Sequence, residues 1–200
     1  MRIILIAVTL FLSTAANAAT VTIDFEEFAP DQAINPPSGD MVSKGFVFDY
    51  LDQGSGNPVA TASGSPNGTQ GYVNCPNCQA VEQIDVYSSS NYVFALNSMD
   101  VAGLGATLPA YDFIITGFIA GGGTVSLSAL DVSALQTLSF DSSWSSLESF
   151  RIEIDNTNGN NAFASFIDNV VVTAVPVPAA IWLFGSALAG LGWLRRKQTV

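Results

Sequence analysis

The sequence predicts an all-β fold, an antiparallel β-sandwich of jelly-roll type, set between two apolar ends. Three observations point to it. Short stretches of alternating apolar and polar residues recur along the middle of the chain, clusters of Gly, Ser, Asn and Pro separate them, and no helical spacing persists between the ends. About nine such stretches in roughly 155 residues suit a sandwich whose two sheets bury alternate side chains against each other. Thirteen phenylalanines supply bulky groups for that interior.

The first element is Thr20–Phe28, where Val21, Ile23 and Phe25 alternate with Thr22, Asp24 and Glu26. Lys44–Leu51 follows, with Phe46 and Phe48 on one face. Val81–Ser88, Asn91–Val101, Tyr111–Ala120, Thr124–Leu130, Leu135–Asp141, Leu147–Asp155 and Phe163–Ala174 complete the set. The stretch from Asn35 to Pro66, rich in Gly, Ser and Pro, reads as long surface loops outside its single strand.

The ends have a different character. Residues 1–18 carry Arg2, an apolar run from Ile3 to Leu12 and small residues at Ala16-Asn17-Ala18, the pattern of a signal peptide cleaved after Ala18. The mature domain then spans 19–174, outside the cytoplasm. It holds all seventeen acidic residues of the chain against two basic ones, Lys44 and Arg151, a formal charge of −15. Nucleic acid is excluded as a partner, because phosphate contacts need clustered Lys and Arg.

Two cysteines occur, Cys75 and Cys78, around a Pro-Asn turn. An oxidising compartment favours a small disulfide here. With no histidine in the chain and no second CxxC, a zinc site lacks ligands. Missing histidine also removes the Ser-His-Asp and Cys-His arrangements, so the domain is read as non-catalytic. Acid pairs such as Glu153 and Asp155 leave a glycoside hydrolase as the third choice.

Two candidate sites remain. Jelly rolls place the first and last strands close together, so Asp24, Glu26, Glu27 and Asp168 form a candidate structural calcium site, with carboxylates as oxygen ligands. The plainer reading of Asp24 and Glu26 is solvent-facing charge on alternate strand positions, whereas Asp168 lies in the apolar run "FIDNVVV". The stretch Asp155–Asn161 has its Gly at the fifth position and reads as a hairpin turn. Trp144, in the polar setting "DSSWSSL", is a candidate stacking platform for sugar rings, with Tyr72, Tyr92 and Tyr111 as further aromatics; a cap on the core is the competing reading of Trp144.

The last 26 residues begin with Val175-Pro176-Val177-Pro178. Residues 179–194 hold no charge, and as a helix they span roughly 24 Å at 1.5 Å per residue, against ~30 Å for a bilayer core. Trp182 and Trp193 stand near its ends, and Arg195, Arg196 and Lys197 follow, a cluster that stays cytoplasmic by the positive-inside rule. The prolines, "AAIWLFGS" and "RRK", in this order, resemble the PEP-CTERM sorting tail, with Val177 where the eponymous Glu stands. That resemblance implies an exported protein of a Gram-negative bacterium that makes extracellular polysaccharide. It also implies an exosortase-type membrane protease as a partner, cleaving near the proline motif. The helix is then a temporary inner-membrane anchor, and the destination is the cell surface or matrix. The closing half of the domain, from Leu135 to Val172, is similar to that of other single-domain PEP-CTERM proteins with lectin-like sandwiches. The function so implied is a non-catalytic surface or matrix protein associated with extracellular polysaccharide, with a carbohydrate-binding lectin-like module as the alternative.

Overall fold

In the computed structural model the described residues are 18–29, 32–33, 40–50, 59–61, 66–73, 81–103, 110–155 and 165–175. Ala19–Val175 forms one compact unit. Its strands are β1 (Thr20–Ile23), β2 (Gln32–Ala33), β3 (Met41–Ser43), β4 (Phe46–Tyr50), β5 (Val59–Thr61), β6 (Gly71–Val73) and β7 (Val81–Ser88). They continue with β8 (Phe94–Gly103), β9 (Tyr111–Ile119), β10 (Thr124–Val132), β11 (Gln136–Ser139), β12 (Leu147–Asp155) and β13 (Ser165–Ala174). A single 3-10 turn, Ser142–Trp144, interrupts the strands among the described residues. The signal-peptide stretch 1–17, both cysteines, the Asn-Gly turn at 156–161, Pro176–Pro178, the expected helix 179–194 and the basic cluster 195–197 lie outside the described residues. Among those described, no helix is long and apolar enough to cross a membrane.

All described ladders are antiparallel, and they form the two layers of a nearly closed sandwich. One layer runs β3-β4-β7-β12-β9-β10; the other runs β2-β5-β6-β13-β8-β11. A single pairing, Leu147 with Phe94, joins them. On its side away from β8, β13 is flanked twice, by β6 at Phe166–Ile167 and by β1 from Val170 to Thr173.

The alternation read from the sequence places the core. On β9, Tyr111, Phe113, Ile115 and Gly117 turn inward; on β12, Phe150, Ile152 and Ile154 do so. Phe46, Phe94 and Phe150 form an edge-to-face chain with centroid spacings of 5.1 and 6.1 Å. Phe25, Phe48 and Tyr72 form a second aromatic group. Such offset geometries add to the area that each ring buries.

Four strands exceed the sequence expectation: β2, β3, β5 and β6. Each has only two or three residues, too few for a period to show, and β6 is buried at every position. The first strand also ends earlier than expected. Phe25 adopts φ 54° and the chain turns through Glu26–Phe28, closed by Phe28 N donating to Phe25 O at 3.3 Å. Phe25 is still fully buried, but from a turn. Lys44 and Gly45, both at positive φ, make the two-residue turn between β3 and β4.

Two local features position the corner around Asp168. A register shift follows Asp168 on β13, where Asn169 takes φ 47°, and the core-facing residues step from Ile167 to Val170 across it. Bulges of this kind re-aim side chains. Gly71 packs its bare Cα against the Phe166 ring: a Cβ there would overlap the ring and lie 2.9 Å from the Ile167 carbonyl oxygen. Gly71→Ala is therefore expected to cost about 1–3 kcal/mol, the usual penalty for overpacking, read as a lowered melting temperature.

Candidate cation site at Asp168

Asp168 is completely buried, although it sits on β13 beyond the main core. The turn Pro66–Gln70 covers it. Asn67 Nδ2 and Thr69 Oγ1 both donate to Asp168 Oδ2, at 2.7 and 2.8 Å, while Oδ1 has no hydrogen-bond partner among the described residues. Burial, with a smaller push from Asp100, raises its carboxyl above the ordinary carboxylate range, and hydrogen bonding from Asn67, the Asn169 backbone and Thr69 offsets this only in part. Asp100 lies directly across the ladder on β8, a like charge opposite a like charge. Its own oxygens are occupied, by Thr137 Oγ1 at 2.6 Å and Asn169 Nδ2 at 3.0 Å.

Gln70, 6% exposed, closes the same turn. Its backbone N–H donates to Glu26 Oε1 at 2.7 Å and its Nε2 to the Phe28 carbonyl at 2.9 Å. With the amide so oriented, Gln70 Oε1 is a second buried acceptor without a partner among the described residues. Each bare buried oxygen is costly unless a donor or a cation meets it.

The four expected ligands divide. Glu26 reaches the Asp168 corner through Gln70, next to Thr69. Asp24 and Glu27 turn to Lys44 Nζ instead, at 3.4 and 3.7 Å, and Glu27 Oε1 also accepts from Ser43 Oγ at 2.6 Å and from Lys44 N at 3.2 Å. They tie the β1 turn to the β3–β4 turn. Sequence reasoning missed Gln70, Asn67 and Thr69. Their contacts span 42 to 101 residues, and "NGTQ" reads only as a turn. No group of three or more acidic or Cys side chains close enough to hold a metal occurs among the described residues, so neutral oxygens would complete any shell here.

The expected stacking platform is corrected. Trp144 is 3% exposed, its ring 4.6 Å from Phe140 and packed over Gly117. The polar neighbours build its turn rather than expose it: Asp141 Oδ1 accepts from Ser143 N at 2.9 Å and caps the 3-10 segment. Tyr72 and Tyr111 also point inward, and Tyr92 packs on Phe46.

Fold and termini together define a β-sandwich domain that runs, one residue after its last strand, into a proline-led apolar tail. Residues 174–197 match the PEP-CTERM protein-sorting motif, so the chain carries the signal of an exported, exosortase-processed protein that is membrane-anchored before sorting. No curated protein matches the chain. Among solved structures it is similar to the CBM22-1 xylan-binding domain of Xyn10C from Paenibacillus barcinonensis, at 16% identity and TM-score 0.46, covering 78% of this chain and 94% of that one. It is also similar to CBM29_1, a family 29 carbohydrate-binding module from Piromyces equi, at 10% identity and TM-score 0.44, with 79% and 91% covered. A family 16 carbohydrate-binding module gives 12% identity and TM-score 0.38, with 62% and 89% covered.

Proposed function

We propose that this protein is a non-catalytic surface or matrix component that associates with extracellular polysaccharide after export. Its signal peptide ends at Ala18, an exosortase-type protease releases it near Val175–Pro178, and a calcium ion braces the folded domain. The sorting motif carries the first part of this reading, since it begins where β13 ends, at Ala174. Lack of histidine and the strongly acidic surface support a binding role over a catalytic one.

The brace rests on the Asp168 corner. Asp168 Oδ1 and Gln70 Oε1 are buried hard oxygens without a partner among the described residues, the donor type that calcium takes, and Glu26 is tied to the same turn through the Gln70 N–H. A bound ion would offset the charge of the Asp168 carboxylate opposite Asp100, with Asp168 on β13 and Gln70 of the 66–70 turn as the oxygens to hold it. The mass of the protein recovered from the producing cells tests the sorting. A product starting at Ala19 and ending between Val175 and Pro178 is expected, and retention of Arg195–Lys197 would make the tail a permanent anchor instead.

A further inference from the structure

The layer β3-β4-β7-β12-β9-β10 turns one face to the core; its other face carries an ordered array. Tyr87 and Phe118 both pair with Ser149, so their rings stand in one row, two strands apart, about 9.5 Å at 4.7–4.9 Å per strand. In the next row Arg151 donates in a fork to Asp85, Nε to Oδ1 at 2.6 Å and Nη2 to Oδ2 at 2.9 Å. Its guanidinium carbon lies 5.9 Å from the Phe118 centroid. One row further, Gln83 Nε2 donates to Glu153 Oε1 at 2.7 Å. All six side chains are half-buried, on the face opposite Ile84, Val86, Phe113, Ile115, Ile152 and Ile154.

We propose that this face binds a neutral polysaccharide, with one chain of equatorially linked pyranose rings crossing β7, β12 and β9 and stacking on Tyr87 and Phe118. The ring faces of Tyr and Phe carry a negative quadrupole that attracts the C–H groups on the flat side of such a sugar. Their two-strand separation suits the two-residue repeat of an extended chain. Between the rings, the polar pairs are already locked by each other, so they meet a ligand without further ordering. The oxygens left over, on Glu153 and on Gln83, are acceptors, and sugar hydroxyls are donors.

Charge selects among sugars. Arg151, the one described base of this face, is tied to Asp85, while Asp49 stands directly across from Asp85. Burial and the neighbouring Asp40 raise the Asp49 carboxyl above its ordinary range. A polyuronate would meet acceptors with acceptors and negative charge with negative charge; a neutral polyol would not. This inference rests on the reading that the protein works among extracellular polysaccharide.

The test titrates the full chain in detergent micelles with cellohexaose and with hexagalacturonate, and measures retention on the extracellular polysaccharide of the producing cells. Cellohexaose is expected to bind, and at least tenfold more weakly to Tyr87→Ala and to Phe118→Ala. Tyr87→Phe keeps the ring and should keep binding, as should Leu130→Ser, a change at an exposed position of β10. Melting curves confirm that each variant is folded. Hexagalacturonate bound as tightly as cellohexaose, or alanine variants as good as wild type, overturns the site. Retention of the Tyr87→Ala/Phe118→Ala double variant at the wild-type level overturns the site but leaves the wider reading standing. Failure of the wild type to be retained at all overturns both.

Discussion

Millimolar calcium added to chelator-treated protein is expected to raise its melting temperature, and the rise is expected to vanish in Asp168→Asn. An ion that binds only the folded state stabilises by about 2.7 kcal/mol at a hundredfold excess over its dissociation constant. For a domain of this size that amounts to roughly 5–10 °C, at about 2–4 °C per kcal/mol. In chelator, Asp168→Asn should melt at or above the wild type. The variant removes a buried charge that burial already disfavours, and its carbonyl oxygen can still accept from Asn67 and Thr69. A purely structural role for Asp168 gives the opposite pattern, with the variant less stable in both conditions and calcium acting on neither. An equal calcium shift in both proteins would move the ion to another place.

Trp144→Ala is expected to destabilise the domain strongly. Removing a fully packed large ring costs about 3–5 kcal/mol, a drop on the order of 10 °C here. The indole lies over Gly117, where a Cβ would already come within 3.0 Å of its Cε3, so the two residues are cut to each other's shape. Trp144→Phe should cost less, because it keeps the contact with Phe140. Any loss of glycan retention in Trp144→Ala should track the unfolded fraction and disappear at lower temperature. A variant that melts like the wild type yet loses glycan would show that the ring is a binding surface after all.

How much of this was legible follows from residue spacing. In Val81–Ser88 the alternation of Ile84, Val86 and Ser88 against Gln83, Asp85 and Tyr87 names the inner and outer faces directly, and the structure agrees. Tyr111–Ala120 reads equally well, and Leu147–Asp155 does so from Phe150 on, past the register shift between Leu147 and Ser149. What spacing cannot show is register between strands, and the rows that align Tyr87 with Phe118, or Asp168 with Asp100, exist only through register. The Asp168 corner depended further on a bulge at Asn169 and on a turn 99 residues away in sequence from its carboxylate. Trp144 misled because Asp and Ser around it look like exposure, while their hydrogen bonds build a turn that folds the ring under.

The position of β13 has a mechanical consequence. Val175, where the tail departs, donates to Val93 O, and Ala174 donates to Ala19 O, so the chain leaves the domain from a strand clamped to its very last residue. Over Ser165–Ala174 that strand is laddered to β8 on one side and to β6 and β1 on the other. The strand that leads into the sorting tail is thus held along both edges, so its C-terminal end cannot fray without giving up its bonds to β1, to β8 and to Val93 together.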